Sequence, residues 1–186
     1  MNFNEGLGVR GEITLIVRNK NGKIKKIWNE NSFGKALREK LGLVLRVPFL
    51  CGYFADKMVI RNVLTNTGFT AMALRCNATG TAFTLLAVGT GSTAAAATDT
   101  TLGAEISTSG LQRTAAACTQ ATTTVAGDTS QLDKTWTVPS TVAVTEAGAF
   151  NASAAGTMLG RQVFSALNLV ANDTLQVIYK FKFASA

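Results

Sequence analysis

The sequence predicts a mainly β protein, an antiparallel β-sandwich of the jelly-roll or immunoglobulin-like type with an N-terminal β-hairpin and helix in front of it. Two observations carry this prediction. From residue 82 onward, β-prone runs recur between turns without long helices among them, which is typical of antiparallel sandwiches and barrels. The last run alternates between apolar and mostly polar positions, and its apolar face comprises Leu175, Val177, Tyr179, Phe181 and Phe183.

Residues 1–62 are predicted to form a basic arm made of a hairpin and an amphipathic helix. Asn21-Gly22 separates the β-prone runs GEITLIVRN and KIKKIWN, and this dipeptide is a strong signal for a hairpin turn. Ser32 is the predicted N-cap of the helix that follows. Apolar residues recur at helical spacing after it: Phe33, Leu37, Leu41 and Val44.

Residues 63–186 are predicted to form the Thr/Ala/Gly-rich sandwich domain. Its first element is a short helix over NTGFTAMALRCNA, and TLGAEI at residues 101–106 is a second short helical candidate. The strands are predicted from the β-prone runs at residues 82–88, 111–125, 130–138, 141–151, 157–166 and 173–183.

The net charge of +7 lies entirely in the first third of the chain. Residues 1–62 hold 12 Lys and Arg against 5 Asp and Glu, whereas residues 63–186 hold 6 of each. This asymmetry favours an acidic partner surface or nucleic acid near the N-terminal end, with solvation of exposed faces as the alternative. No recognised nucleic-acid-binding motif accompanies it, so a nucleic-acid partner is not favoured.

The residue inventory excludes several classes of site. The chain has no histidine, and its three cysteines are widely spaced, which excludes Ser-His-Asp and Cys-His catalysis and the common zinc sites. Cys51, Cys76 and Cys118 are predicted to be buried free thiols. We also expect no signal peptide, no membrane-spanning segment and no cofactor, and therefore synthesis in a reducing cytoplasm.

The sequence LLAVGTGSTAAAATDT contains a glycine turn that resembles a phosphate-binding loop. Gly89, Gly91 and Ala94 fit the G-x-G-x-x-G/A pattern of a dinucleotide-binding turn. That pattern requires a following helix and a parallel βαβ series, and the sequence downstream predicts strands instead. We therefore predict a structural turn, in which the glycines allow positive φ or close approach of the backbone.

The C-terminal part of the chain resembles a group of tailed-bacteriophage virion proteins. The resemblance runs through VGTG, DTTLGAE, an Arg shortly afterwards, TEAGAFNA, MLGRQVF and NDTLQVIY, and covers about residues 82–186. It implies a non-enzymatic structural protein of the particle, first a capsid decoration or cement protein, with a tail- or fibre-associated protein as the alternative. The implied location is the virion, and the implied partners are other virion proteins and further copies of the chain.

Two groups of residues are predicted to serve such a role. At least one Glu–Arg pair among Glu105, Arg113, Glu146 and Arg161 is expected to hold a loop to the sandwich. A catalytic carboxylate pair is the disfavoured alternative, because the domain is poor in aromatic residues that would bind a sugar.

An intersubunit contact is predicted in the segment RVPFLCGYFADKM and the helix before it, with capping of the chain's own sandwich as the alternative. The residues predicted for this contact are Phe49, Leu50, Tyr53, Phe54, Met58, Lys35, Arg38 and Lys40.

Overall fold

The computed structural model describes residues 8–41, 43, 46–108 and 110–184, and within them the chain forms twelve strands and two helices. The first half contains β1 (Gly8–Arg18), β2 (Ile27–Glu30), α1 (Ser32–Leu41), β3 (Gly52–Ala55), β4 (Met58–Arg61), β5 (Val63–Leu64), α2 (Asn66–Cys76) and β6 (Leu85–Gly89). The second half contains β7 (Thr114–Ala115), β8 (Ala117–Ala121), β9 (Thr129–Thr137), β10 (Val142–Phe150), β11 (Met158–Leu169) and β12 (Thr174–Ala184).

Ten of these strands form two five-stranded antiparallel sheets. The strand order is β4-β1-β12-β9-β8 in sheet 1 and β5-β11-β10-β6-β7 in sheet 2, and β2 and β3 form a separate two-stranded sheet. The strands of both large sheets contribute to one continuous apolar core. The predicted fold class, a mainly β antiparallel sandwich, is therefore confirmed.

Alternation along the strands of sheet 1 places the apolar face against sheet 2. Ile13, Leu15 and Val17 of β1 are at most 1% exposed, as the sequence pattern predicted. On β12 the predicted apolar face is buried from Leu175 to Phe181, whereas Phe183 at the end of the strand is 46% exposed. The core therefore follows the period of two that β-strands impose on their side chains.

Sheet 2 is buried on both faces. The loop between β6 and β7 covers its outer face, where Leu102 packs with Ala87, Phe150 and Met158 in a second apolar cluster. This explains why residues 146–150 of β10 and 158–161 of β11 are buried without alternation. A strand that is buried on both faces carries mostly small or apolar side chains on both, and the two charged exceptions here, Glu146 and Arg161, pair with each other.

The predicted arm is wrong for β1, which is an inner strand of sheet 1. It pairs with β12 from Gly8–Ala184 to Arg18–Thr174 and with β4 on its other side. The predicted boundary at residue 62 falls between β4 and β5, which lie in different sheets of the same sandwich. The physical reason is that the apolar face of β1 is stabilised only when it is covered by the other sheet.

The predicted hairpin turn forms, but the two predicted strands do not pair along their length. Gly22 has a φ of 77°, and the Asn19 side chain accepts hydrogen bonds from the N–H groups of Asn21 and Lys23, each at 3.0 Å. Pairing stops after the single bridge between Arg18 and Ile24, and β2 pairs with β3 instead. The turn is encoded locally, whereas β2 pairs with a segment that lies 22 to 28 residues downstream, in the register Ile27–Ala55 to Glu30–Gly52.

The two predicted helices, one after the hairpin and one at the start of the second domain, both form, but the cap of the first differs from the predicted Ser32. Helix α1 begins at Ser32, but the capping side chain is Asn31, whose Oδ1 accepts from the N–H of Gly34 at 2.9 Å. Phe33 and Leu41 are 51% and 65% exposed, so the predicted apolar face of α1 is not buried, and Val44 lies outside the described residues.

Helix α2 is capped by Thr65, whose Oγ1 accepts from the N–H of Gly68 at 3.0 Å. The predicted short helix at residues 101–106 does not form. Glu105 instead makes an antiparallel bridge with Gly89. The loop between β6 and β7 lies against sheet 2 there, where hydrogen bonds to Glu146 and Arg161 hold it.

The three cysteines are free, as expected, but only Cys51 is buried. Cys76 ends α2 and Cys118 lies on the edge strand β8, and both are exposed, so the prediction of burial is wrong for these two. No helix in the described ranges combines the length and the apolar character needed to cross a membrane.

Candidate functional site

The glycine turn after β6 encloses a carboxylate of the protein itself. Glu146 points outward from β10 and is fully buried beneath the loop that follows β6. Its Oε1 accepts hydrogen bonds from the N–H groups of Gly91 at 2.9 Å and Ala104 at 2.7 Å, and its Oε2 accepts from Gly103 at 3.0 Å. Backbone N–H groups that a phosphate-binding turn would offer to a ligand are used here to hold a side chain.

Arg161 on β11 completes this buried network. Its Nε donates to Glu146 Oε2 at 2.8 Å, and its Nη1 donates to Asp99 Oδ2 at 2.7 Å. Its Nη2 donates to the carbonyl oxygen of Thr93 at 3.1 Å. The guanidinium therefore fastens two points of the loop to the outer face of sheet 2, and the side chains of Arg161 and Glu146 are 3% and 0% exposed.

The glycines leave the space that this arrangement needs. A Cβ atom on Gly89 would lie 2.5 Å from both the carbonyl oxygen of Ala104 and Oε1 of Glu146. A Cβ atom on Gly91 would also collide with Oε1 of Glu146. The resemblance of this turn to a dinucleotide-binding loop thus has a structural cause, namely close approach of backbone and carboxylate, as the sequence interpretation proposed.

The network holds its acidic groups ionised. Burial by itself raises the pKa of the Glu146 carboxyl, but hydrogen bonds from the N–H groups of Ala104 and Gly103 and the Arg161 guanidinium outweigh burial, so the pKa lies below its usual range. The pKa of Asp99 is lowered in the same way, since the N–H of Ala96 and Arg161 outweigh the effect of its burial. Loop attachment therefore depends on two carboxylates that carry charge at neutral pH.

Acidification is expected to weaken the fold by protonating Glu146. Because its pKa is lower in the folded than in the unfolded chain, the stability it contributes is complete above the unfolded value, about 4. That contribution is lost as the pH falls through the folded pKa. The melting temperature, measured from pH 7 down to pH 3, should decline below pH 4 more steeply in the wild type than in Glu146→Gln. Parallel declines in the two proteins would contradict this assignment.

A second ion pair holds the next part of the loop. Arg113 makes two parallel bonds with Glu105, Nε to Oε1 at 3.0 Å and Nη2 to Oε2 at 2.6 Å. Its Nη1 donates to the carbonyl oxygens of Ala152 and Ala155, and the guanidinium stacks 3.5 Å from the ring centroid of Phe150. The pair thus joins the end of the β6–β7 loop to the turn between β10 and β11.

The structure brings all four predicted charges into pairs, Glu105 with Arg113 and Glu146 with Arg161. The sequence interpretation missed Asp99 as the second partner of Arg161. A signal was present, since residues 63–186 contain only 6 acidic side chains against 6 basic ones, which makes each of them a candidate partner. The two carboxylates Glu105 and Glu146 are both bound by arginines, an arrangement that suits attachment of a loop rather than acid–base catalysis.

The predicted contact segment divides into an exposed and a buried part. Phe49 is 96% exposed, and Leu50, Tyr53 and Phe54 are 56%, 57% and 53% exposed. They do not cap the sandwich, which was the alternative prediction. Met58 is an exception, because it is 2% exposed and belongs to the core.

Of the three basic residues predicted for this contact, two are exposed. Arg38 is the exception, because its Nε donates to Glu30 Oε2 at 2.9 Å and its side chain is 14% exposed, so it forms a structural ion pair. Lys35 lies 3.9 Å from Glu39 and its side chain is 53% exposed. Lys40 is exposed in the last turn of α1. The four exposed side chains Phe49, Leu50, Tyr53 and Phe54 are together called the aromatic ridge below, although Tyr53 and Phe54, as neighbours on β3, point to opposite faces of the β2–β3 sheet.

Phe49 adopts a backbone conformation that is costly for its residue type. Its φ is 66°, in the left-handed region that bulky residues avoid. The backbone is held there by the hydrogen bond from the N–H of Phe49 to the carbonyl oxygen of Gly52 at 2.9 Å. A strained backbone that presents an almost fully exposed phenyl ring points to a function for that ring outside the chain.

Within the described ranges, no group of three or more His, Cys, Asp or Glu side chains is placed to hold a metal ion. No protein-family model, no curated protein and no solved structure matches this chain. Its function is therefore inferred from the aromatic ridge, the fastened loops and the resemblance found in the sequence.

Proposed function

We propose that this chain is a non-enzymatic structural protein of a tailed-phage virion, a capsid decoration or cement protein that stabilises the particle by packing against its neighbours. The sequence resemblance over residues 82–186 supports the virion setting. The observation that carries the proposal is the aromatic ridge, because its four large side chains are more than half exposed in the single chain. Several large apolar side chains left exposed within a short segment are typical of an interaction site.

The position of the ridge suits a contact with a neighbouring subunit. It lies on β3 and the turn before it, in the small β2–β3 sheet outside the two large sheets. Among the described residues, Phe54 has an aromatic partner, since its ring meets Trp28 edge-on with centroids 5.1 Å apart, and Tyr53 and Phe49 have none. Aromatic residues of this kind commonly form the buried centre of protein interfaces.

The rigid attachment of the loop between β6 and β7 supports a structural role in packing against a neighbour. Two arginine networks hold the loop between β6 and β7 on sheet 2, one at Glu146 and one at Glu105. A loop that is tied by buried charges presents a fixed surface, and a fixed surface loses little conformational entropy when it is covered by a neighbour.

Ion pairs within the chain reduce the basic charge that a nucleic acid could bind. Lys25 pairs with Asp173 at 2.6 Å, Lys26 with Asp56 at 2.8 Å, and Arg38 with Glu30 at 2.9 Å. Phosphate binding requires Lys and Arg groups that are free to replace counterions. These pairs occupy three of the twelve Lys and Arg residues at positions 1–62, and together with the lack of a recognised nucleic-acid-binding motif they support a protein partner for this part of the chain.

Counting copies of the chain in purified particles tests the proposal. A decoration protein covers the capsid surface, so quantitative mass spectrometry against the major capsid protein should give on the order of hundreds of copies per particle, as expected for closed symmetric assemblies. A few dozen copies or fewer would replace the capsid assignment by a tail or fibre position. Absence of the chain from particles would contradict the proposal as a whole.

A further inference from the structure

The two large sheets have four edge strands in the described structure, and these differ in their readiness to pair with another chain. The edges of sheet 2, β5 and β7, are each two residues long. The edge strand β4 of sheet 1 contains exposed Arg61 and directly follows exposed Lys57. Short length and charge are the features by which natural proteins prevent pairing at a sheet edge.

The remaining edge, β8, has neither protection. It extends over five residues, Ala117–Ala121, of which the first four are exposed. Residues 114–127 contain no Asp, Glu, Lys, Arg or Pro. One side of β8 pairs with β9, from Ala117–Asp133 to Ala121–Thr129. On its other side β8 pairs with no strand of the described structure. An edge strand presents a row of N–H and C=O groups that can pair with a further strand.

We propose that β8 is a self-association edge, through which two copies of this chain pair antiparallel about a twofold axis and join their first sheets into one ten-stranded sheet. The axis passes beside Thr119, the middle residue of the strand. Thr119 then lies opposite Thr119 of the second copy, Cys118 opposite Gln120, and Ala117 opposite Ala121. The same patch meets itself, as twofold interfaces require.

The lack of charge at β8 leaves an edge at which a second copy can approach without opposed like charges. Each chain carries a net charge of +7, which opposes association of two copies through their charged surfaces. At β8 the facing residues are uncharged in both copies, so an identical uncharged edge suits it. Pairs of threonines on adjacent antiparallel strands stabilise a sheet through packing and hydrogen bonding.

The side-chain directions at β8 give this arrangement a specific signature. Cys118 lies opposite Leu132 of β9, which is 1% exposed, so Cys118 belongs to the inner face of the sheet. Thr119 therefore points to the outer, solvent-facing side. Directly opposed residues on antiparallel strands have Cα atoms about 4.5–5.5 Å apart, which lies within the range that a disulfide spans.

Cysteine cross-linking tests the pairing and its register. In a Cys76→Ser/Cys118→Ser background, Thr119→Cys should form an intermolecular disulfide when the purified protein is oxidised with oxidised glutathione. Each bond forms from two thiols, with one glutathione disulfide reduced to two glutathione molecules. The product should be a covalent dimer of twice 19.5 kDa that is reversed by reductant. The matched control is Ala121→Cys, because the two copies of residue 121 lie roughly 14 Å apart in this register.

A second variant tests the association without cysteine chemistry. Thr119→Lys places two like charges opposite each other at the axis, so the dissociation constant of the dimer, measured by light scattering or sedimentation, should rise about tenfold or more. Its melting temperature at a concentration where both proteins are monomeric should be unchanged, because Thr119 is exposed and lysine is tolerated at sheet edges.

Three results would overturn the proposal: a wild type that stays monomeric at 100 μM and above, equal cross-linking of Thr119→Cys and Ala121→Cys, or a dimer that Thr119→Lys does not weaken. These measurements use the purified chain alone. Their outcome is therefore independent of whether the chain belongs to a virion.

Discussion

Replacing Arg161 with methionine is expected to lower the free energy of unfolding by about 3–5 kcal/mol, the cost of breaking a buried ion pair by removing one partner. The side chain is 3% exposed and binds Glu146, Asp99 and the carbonyl oxygen of Thr93. Methionine fills much of the volume but leaves the buried Glu146 without its cation. Urea or guanidinium denaturation monitored by circular dichroism measures the change.

Two further variants show whether the loss arises from the uncompensated charge. The double variant Glu146→Gln/Arg161→Met should be more stable than Arg161→Met alone, because the remaining glutamine is neutral and still accepts hydrogen bonds from the loop. Arg113→Met is the matched control. Its partner Glu105 is 23% exposed, so water can solvate the carboxylate that is left, and the loss should be smaller. Equal losses for Arg161→Met and Arg113→Met would contradict the ranking of the two networks.

Replacing Phe49 and Leu50 together with serine is expected to weaken attachment to the particle roughly 100-fold or more, since each side chain is an exposed anchor of the aromatic ridge. Phe54 is left in place because its ring packs against Trp28, so its loss would also disturb the fold. The melting temperature of the isolated chain should not fall, because Phe49 and Leu50 are 96% and 56% exposed and serine relieves part of the strain at residue 49. Binding of labelled chain to particles that lack it measures the effect.

The control for this pair is Phe69→Ser on α2. Phe69 is 48% exposed and lies outside the aromatic ridge, so particle binding should be unaffected. Unchanged binding of Phe49→Ser/Leu50→Ser would remove the ridge from the proposed contact. A lower melting temperature in the isolated chain would instead show that the ridge stabilises its own fold.

The faces of the strands were readable from the sequence because they depend on local geometry. Alternation placed Ile13, Leu15 and Val17 on one face of β1, and these residues are buried. The same rule identified the core face of β12, and the Asn21-Gly22 turn follows from the positive φ that glycine adopts. Successive side chains of any strand point to opposite faces, so no distant partner is needed to infer them.

The partners of these elements were decided only by the tertiary structure. The sequence assigned β1 to an arm, whereas β12, more than 150 residues away, pairs with it along its whole length in the register Gly8–Ala184 to Arg18–Thr174. It predicted a structural Glu–Arg pair but did not identify Asp99 as the second partner of Arg161, 62 residues distant. It marked the glycine turn without showing that Glu146, 55 residues beyond Gly91, occupies it. Closing loops of this length costs conformational entropy. That cost is offset only when the apolar faces of the whole sandwich are buried together, so the pairing depends on the complete core.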